Sequence, residues 1–445
     1  MPANFPLNLP LFLLYFPAAD GEATDILNQL RQYKDIHEQK VVIITLAELQ
    51  QEALHPYGEN TSNLWVIPNH RELTNWLLSK EPVLVFTRIL AEQLELTQIS
   101  PYQTRGGVNN DTMFFGRTKI LDIMLHRKPA NYIIVGGRQI GKSSLLKYIH
   151  RHYQNHPQVQ CHYLSLHGDN PQGQLAVTLG LPSQVNFDTI LNRLAEIAPS
   201  QRQLFLLDEA DLFILAEMKN GYPFLNRLCK ITEVGYCHFI LAGFWDLYQT
   251  FKLDKRSTLR DFAELITIAE LGATACRDLA VKPMQTMNLH YTQPELVNKL
   301  LVKTGQRAHL IATICNEMLK ELGKGKCVLG DEEIVQAFNS DAVLTVLTEW
   351  QSGGELLNDE PASHLDRIIV YATIEKGEFN LIELPQKLTK LGCTYTTTQI
   401  KQSLERLIFN YVIKSTASGQ YVYCVPLFRE MLLKEDVNDL LQWEL

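Results

Sequence analysis

Eight cysteines are scattered through 445 residues without a single Cys-x-x-Cys pair, and no histidine stands beside them at metal-ligand spacing. Neither a disulfide framework nor a structural zinc site is expected, and a reducing cytoplasm is the expected compartment. No Lys or Arg precedes the apolar run at 11–16, and Pro2, Pro6, Pro10 and Pro17 surround it. That pattern excludes a secretory leader, and the run is too short for a membrane span of about 20 residues, so a buried strand is expected there and no membrane partner. Positive charge is also in deficit: the formal net charge is −8. Sequence-blind wrapping of nucleic acid by the whole surface is thereby disfavoured, while a local basic patch is not. No internal repeat period is evident. What is abundant is apolar material, 46% of the chain, enough for the cores of two to four domains.

The most informative stretch is Asn131-Tyr-Ile-Ile-Val-Gly-Gly-Arg-Gln-Ile-Gly-Lys-Ser-Ser144. An apolar strand breaks into G-x-x-x-x-G-K-S and then into a helix over 143–153, the order of a phosphate-binding loop. Gly136 and Gly141 let successive backbone N–H groups face one anion, and the helix adds its positive end. Gly136, Gly137, Arg138, Gln139, Ile140, Gly141, Lys142, Ser143 and Ser144 are therefore the expected nucleotide contacts. Lys142 would meet the β/γ-phosphates and the Ser143 hydroxyl would take a Mg²⁺ position, making ATP or ADP with Mg²⁺ the expected cofactors.

A second stretch, Gln203-Leu-Phe-Leu-Leu-Asp-Glu-Ala-Asp211, reads as a buried strand ending in acid. Asp208 is placed to bind Mg²⁺ directly or through water, and Glu209 to polarise an attacking water. Further strands are expected at 158–166 and 238–242, and a helix at 186–197. His167 and Asp169 read as a polar turn.

Phe114-Phe-Gly-Arg117, ahead of the loop, resembles the corresponding segment of two groups: the signal-transduction ATPases with numerous domains (STAND) and the origin-recognition-type AAA+ ATPases. The resemblance covers about 114–430. It implies that Phe115, Gly116 and Arg117 help form the nucleotide pocket; a structural ion pair is the alternative for Arg117. In AAA+ relatives the strand at 238–242 ends in a polar γ-phosphate sensor, for which Ala242 and Gly243 stand here. Ser257-Thr-Leu-Arg260 resembles the S-P-L-R segment before the last core strand of archaeal-type STAND ATPases, with Thr258 replacing proline. By that resemblance Arg260, or else Arg256, is a candidate arginine finger across a subunit boundary; an exposed helix-start arginine is the other reading. Thr304-Gly-Gln-Arg-Ala-His-Leu310 partly resembles the T-G-G-x-P segment of their helical lid, which makes Arg307 or His309 a candidate phosphate contact and helix capping the alternative for Arg307.

The implied architecture is α/β: a P-loop AAA+/STAND-like core with an N-terminal α/β domain, a helical lid and a C-terminal winged helix. The boundaries are 1–100 for a small domain of alternating strands and helices ending in a strand-like run at 83–86; 101–113 for a turn-rich linker; 114–285 for the core; 286–355 for the lid; and 356–445 for the winged helix with a terminal helix. Helices at 365–374, 381–388 and 396–409 and a hairpin at 411–415 and 421–425 carry that last expectation. On duplex DNA it would present Thr397, Thr398, Lys401, Gln402 and Arg406, with Lys414 from the wing. The implied function is an ATP-dependent switch, hydrolysing slowly, that controls self-association or recruits a protein through residues 1–100 in prokaryotic defence or regulatory signalling. Two rival readings stand beside it: a DNA-binding AAA+ ATPase of replication, transposition or genome maintenance, and an assembly protein holding ATP as a structural cofactor.

Overall fold

The computed structural model describes residues 6–7, 12–18, 20–32, 40–58, 65–126, 130–166, 170–254, 257–322, 326–351 and 360–445. Leu11, Arg256, His167 and Asp169 lie outside them.

The N-terminal part alternates β1 (Phe12–Tyr15), α1 (Ala23–Gln32), β2 (Lys40–Ile43), α2 (Glu48–Gly58), β3 (Trp65–Val66) and α3 (His70–Leu78), and adds α4 (Pro82–Gln93) and α5 (Leu96–Ile99). Its three strands pair in parallel in the order β1-β2-β3. The strand expected at 83–86 is a correction, because this segment opens α4 with Pro82 in its first turn. A four-residue apolar run does not distinguish strand from helix, and here Phe86, Ile89 and Leu90 recur at helical spacing to give one buried face.

The central unit contains α6 (Thr118–His126), β4 (Tyr132–Val135), α7 (Lys142–Tyr153), β5 (Val159–Ser165), α8 (Pro171–Thr178), α9 (Phe187–Ile197), β6 (Arg202–Asp208), α10 (Asp211–Asn220), α11 (Pro223–Val234), β7 (Cys237–Gly243), α12 (Trp245–Leu253), α13 (Leu259–Phe262) and β8 (Glu264–Thr267). The sheet order is β5-β6-β7-β4-β8 and every pair is parallel. Successive side chains of a strand leave opposite faces: Ile133, Val135, Phe205, Leu207, Phe239 and Leu241 fill one apolar cluster, and Tyr132, Ile134, Leu206, Ile240 and Ala242 the other. Burial on both faces explains why these strands read as unbroken apolar runs.

A helical part follows: α14 (Ala273–Thr286), β9 (His290–Tyr291), α15 (Pro294–Lys303), α16 (Ala308–Glu321), β10 (Val328–Leu329), α17 (Asp331–Phe338) and α18 (Asp341–Gln351). The chain ends with α19 (Glu360–Thr373), β11 (Glu378–Asn380), α20 (Glu383–Lys390), α21 (Thr397–Phe409), β12 (Ile413–Ser415), β13 (Gln420–Tyr423), α22 (Pro426–Leu432) and α23 (Val437–Glu444). Its strands form an antiparallel sheet in the order β11-β13-β12, which adds β11 to the expected hairpin. One apolar cluster runs through Phe86, Leu90 and Ile99 of the N-terminal part, Met284, Leu300 and Ile314 of the helical part, and Ile369, Leu404 and Phe428 of the C-terminal part. Among the described residues no helix is long and apolar enough to cross a membrane.

Candidate nucleotide site

The glycine loop leaves the C-terminal end of β4, a central strand, and runs into α7. A Cβ at Gly136 would lie 2.7 Å from the Ile268 carbonyl oxygen, so only glycine fits beside the end of β8. Gly141 has φ +101° and caps α7, with open space where its side chain would be. The buried Lys142 ammonium donates to the carbonyls of Gly136 and Gly137, both at 2.8 Å. It also lies 3.6 Å from the centroid of the Phe244 ring. Burial pushes its pKa down to about 7 against the pull of Asp211 and Asp208. Ser143 opens the helix next to it, and the Ser144 hydroxyl accepts from the Val108 amide at 3.1 Å. Linker residue Gly107 is pressed against this turn, where a Cβ would meet the Ser143 carbonyl carbon at 2.8 Å.

Two strands away, Asp208 ends β6 and is buried. One of its oxygens accepts from the Tyr163 hydroxyl at 2.6 Å and the other from the Glu209 amide at 3.0 Å. Burial and the neighbouring Asp208 hold the Tyr163 hydroxyl well above its ordinary pKa. Glu209 has φ +57°, a left-handed conformation uncommon for a side chain of its size. Asp211, one turn on, accepts from the amides of Phe244 at 2.7 Å and Leu247 at 3.1 Å, which ties the end of β7 to the acidic turn. Burial raises the Asp211 pKa. Among the described residues no group of three or more His, Cys, Asp or Glu side chains could hold a metal ion. A Mg²⁺ ion held by one or two protein oxygens together with phosphates needs no such cage, and Ser143 with Asp208 is that kind of donor set.

No family model matches the chain, and no curated protein matches it by sequence. Among solved structures it is similar to the Walker-type ATPase of Pyrococcus abyssi, with 14% identity, 75% of this chain and 99% of that chain covered, and a TM-score of 0.53. The fold is that of an AAA+ P-loop ATPase. It is also similar to the ORC2 protein of Aeropyrum pernix, solved as ADPNP–ADP complexes, with 15% identity, 73% and 91% coverage and a TM-score of 0.47.

At the end of β7, just beyond Ala242 and Gly243, Phe244 places its ring on the Lys142 ammonium, with the Arg138 guanidinium carbon 5.9 Å from the ring centroid. A Cβ at Gly243 would run into the Asp211 carboxylate at 2.6 Å, and the same carboxylate accepts from the Phe244 amide.

The remaining predicted residues gather where the glycine loop meets the helical part. Phe114 stacks on Tyr148 of α7 at 4.5 Å, whereas Phe115 packs against the lid cluster. Gly116 has φ +74°, and a Cβ there would touch Ala275 at 3.0 Å and Leu271 at 3.2 Å. Arg117 donates to the Ile140 carbonyl at 2.9 Å and to the Glu270 carbonyl at 3.4 Å, so it clasps the glycine loop to the start of the lid. Arg307 is buried and donates to the Asn410 carbonyl, and burial lowers its pKa to about 10. Burial likewise lowers that of His309, to about 4. Gln139 of the loop donates to Glu349 of α18 at 2.6 Å. Arg260 does not join them: its guanidinium donates to the carbonyls of Phe251 and Lys252 at the end of α12.

Sequence reading missed the turn after α21. A Cβ on Gly137 would lie 3.0 Å from Asn410 Cα and 3.1 Å from the Phe409 carbonyl oxygen. Phe409 is buried in the cluster on one face of the core sheet, against Trp245 at 5.5 Å and Tyr248 at 5.0 Å, while Tyr411 packs against the other. The C-terminal part thus sits on the glycine loop itself. On α21 the side chains of Thr397, Thr398, Lys401 and Gln402 are exposed, as are Glu405 and, on β12, Lys414. Arg406 is a correction: it is buried and pairs with Asp366 at 2.7 Å and 2.9 Å, so it presents nothing to a DNA groove. It faces inward because it shares with Ser403, which also donates to Asp366, the side of the helix that meets α19.

Proposed function

We propose that this chain is an ATP-dependent molecular switch, in which nucleotide at the glycine loop decides whether the C-terminal part stays seated on the core. The observation that carries the reading is the contact of Gly137 with Phe409 and Asn410. A loop built to take phosphates is, at the same time, the docking point of another part of the chain. ATP or ADP would be held by the backbone and side chains of 136–144, with Ser143 and Asp208 on Mg²⁺ and Phe115, Gly116, Arg117 and Arg307 along the seam. Bound Mg·ATP supplies a phosphoryl group that water can attack. In that chemistry Lys142 would neutralise charge on the β/γ-phosphate oxygens, Asp208 would help hold the metal and Glu209 would orient the water. Tyr163 holds Asp208 in place. With no polar side chain from the end of β7, turnover is slow.

Release of the C-terminal part would expose surface for self-association or for recruitment of a protein partner through residues 1–100. Prokaryotic defence or regulatory signalling in the cytoplasm is the setting this reading fits. The direct test is the mass of the full-length protein with Mg·ATP, Mg·ADP, a nonhydrolysable ATP analogue and no nucleotide, beside Lys142→Ala and Glu209→Gln. Assembly that requires ATP, is lost in Lys142→Ala and persists in Glu209→Gln is the expected outcome; identical mass in every state rejects the switch.

A second reading, an AAA+ ATPase acting on DNA, is favoured by the exposed Thr397, Thr398, Lys401 and Gln402 on one helix with Lys414 on the adjoining hairpin, the disposition of a winged helix. Retention on duplex DNA at low salt, lost in Lys401→Glu/Lys414→Glu, would favour it over the switch.

A further inference from the structure

The Lys142 ammonium has three N–H donors. Two are spent on the carbonyls of Gly136 and Gly137, and the ammonium lies over the face of the Phe244 ring. A phosphate oxygen arriving at Lys142 needs a donor, and the one not spent on a carbonyl is the one the ring shields. Phe244 is half-buried. Its backbone is pinned by Asp211, and the next residue, Trp245, is buried against Phe409 of the C-terminal part. Phe409 in turn is the residue before Asn410, whose carbonyl receives Arg307 of the lid.

We propose that Phe244 is the phosphate-responsive element of this site, a placeholder on Lys142 that nucleotide displaces, and that Trp245 carries its displacement to Phe409 and so to the seating of the C-terminal part. The inference rests on the switch reading and adds to it the residues that join the two ends. An ammonium held on an aromatic face in a buried site is a favourable contact that phosphate must replace. The ring therefore works against nucleotide binding, and it does so for ATP and ADP alike, because it meets the lysine and not a particular phosphate.

The experiment is a double-mutant cycle on the full-length protein. Affinities for Mg·ATP and Mg·ADP are measured by competition with a fluorescent nucleotide, and Trp245 emission is isolated by difference from Trp245→Phe. Phe244→Leu is expected to tighten both nucleotides by about two- to tenfold, and Phe244→Tyr, which keeps the aromatic face, to restore the wild-type values. Trp245 emission is expected to change on nucleotide binding in the wild type and to lose most of that change in Phe244→Leu. Phe409→Leu combined with Phe244→Leu is expected to depart from the product of the single effects by threefold or more; should Phe409→Leu not fold, Tyr248→Leu removes the other ring against Phe409 and completes the cycle. Effects that simply multiply, or a Trp245 signal indifferent to nucleotide, overturn the relay while leaving nucleotide binding intact. Absence of nucleotide binding in the wild type would instead overturn the switch reading beneath it.

Discussion

The two sides of the glycine loop are built on different plans. Beneath it, the parallel sheet has two apolar clusters, one on each face, drawn from the core itself apart from Phe409 and Tyr411 of the C-terminal part. Above it, one cluster joins the N-terminal, helical and C-terminal parts, and the N-terminal sheet holds a smaller cluster of its own around Leu27, Val41 and Trp65. Between them cross the hydrogen bond of Gln139 to Glu349 and the aromatic side chains of Phe115, Phe409 and Tyr411. Bodies whose cores are largely separate can part with most of each core kept. A nucleotide lying at such a seam has a direct mechanical lever on both.

The strongest way to break this comparison is to unfold one side and watch the other. Arg406→Leu leaves the buried Asp366 carboxylate without its guanidinium and is expected to cost about 3–5 kcal/mol. If the two bodies are separate, denaturant unfolding followed by fluorescence and by nucleotide binding should then show two transitions, with the sheet surviving. Next in size, Gly136→Ala drives a methyl into the Ile268 carbonyl and is expected to cost about 1–3 kcal/mol in the core, and to weaken nucleotide at least tenfold in a titration.

A titration effect sharpens the comparison on the lid side. The His309 pKa is lowered to about 4 by burial, below the ordinary value of about 6.5. The folded lid therefore binds fewer protons than the unfolded chain, and its stability is fully present above pH 6.5 and is lost as pH falls from there toward 4. The expected loss is on the order of 3 kcal/mol. His309→Gln should flatten that part of the pH–stability curve. The smallest effect expected is at the seam itself: Glu349→Gln keeps a partner for Gln139 and should shift lid stability by less than about 1 kcal/mol, while changing how fast nucleotide dissociates.

Sequence made the core readable because parallel strands buried on both faces are unbroken apolar runs, and because the glycine loop and the acidic strand end are local patterns. It was silent on what reaches the loop from afar. Tyr163 lies 45 positions from Asp208, and Gln139 lies 210 from Glu349, and nothing local marks either partner. Phe244 was hidden for another reason: it is one residue past the end of β7, where Asp211 accepts from its amide. Arg406 and the run at 83–86 were misread where type and hydrophobicity stood in for direction, since the side of a helix a residue occupies depends on what packs there.

The N-terminal part is anchored to the helical part through the Ser100 hydroxyl, which donates to Asn316 of α16, and the Tyr102 hydroxyl, which reaches the Leu279 and Ala280 carbonyls of α14, while the linker that follows bonds to α7 of the core through Val108 and Asp111. In the proposed switch it is a pointer that follows the helical part. A dye at exposed Leu49 and another at exposed Val234 on the core would convert lid rotation into a distance read molecule by molecule. Any protein that grips residues around Leu49 would, by the same attachment, hold the lid at one angle and set the dwell time of the nucleotide beneath it.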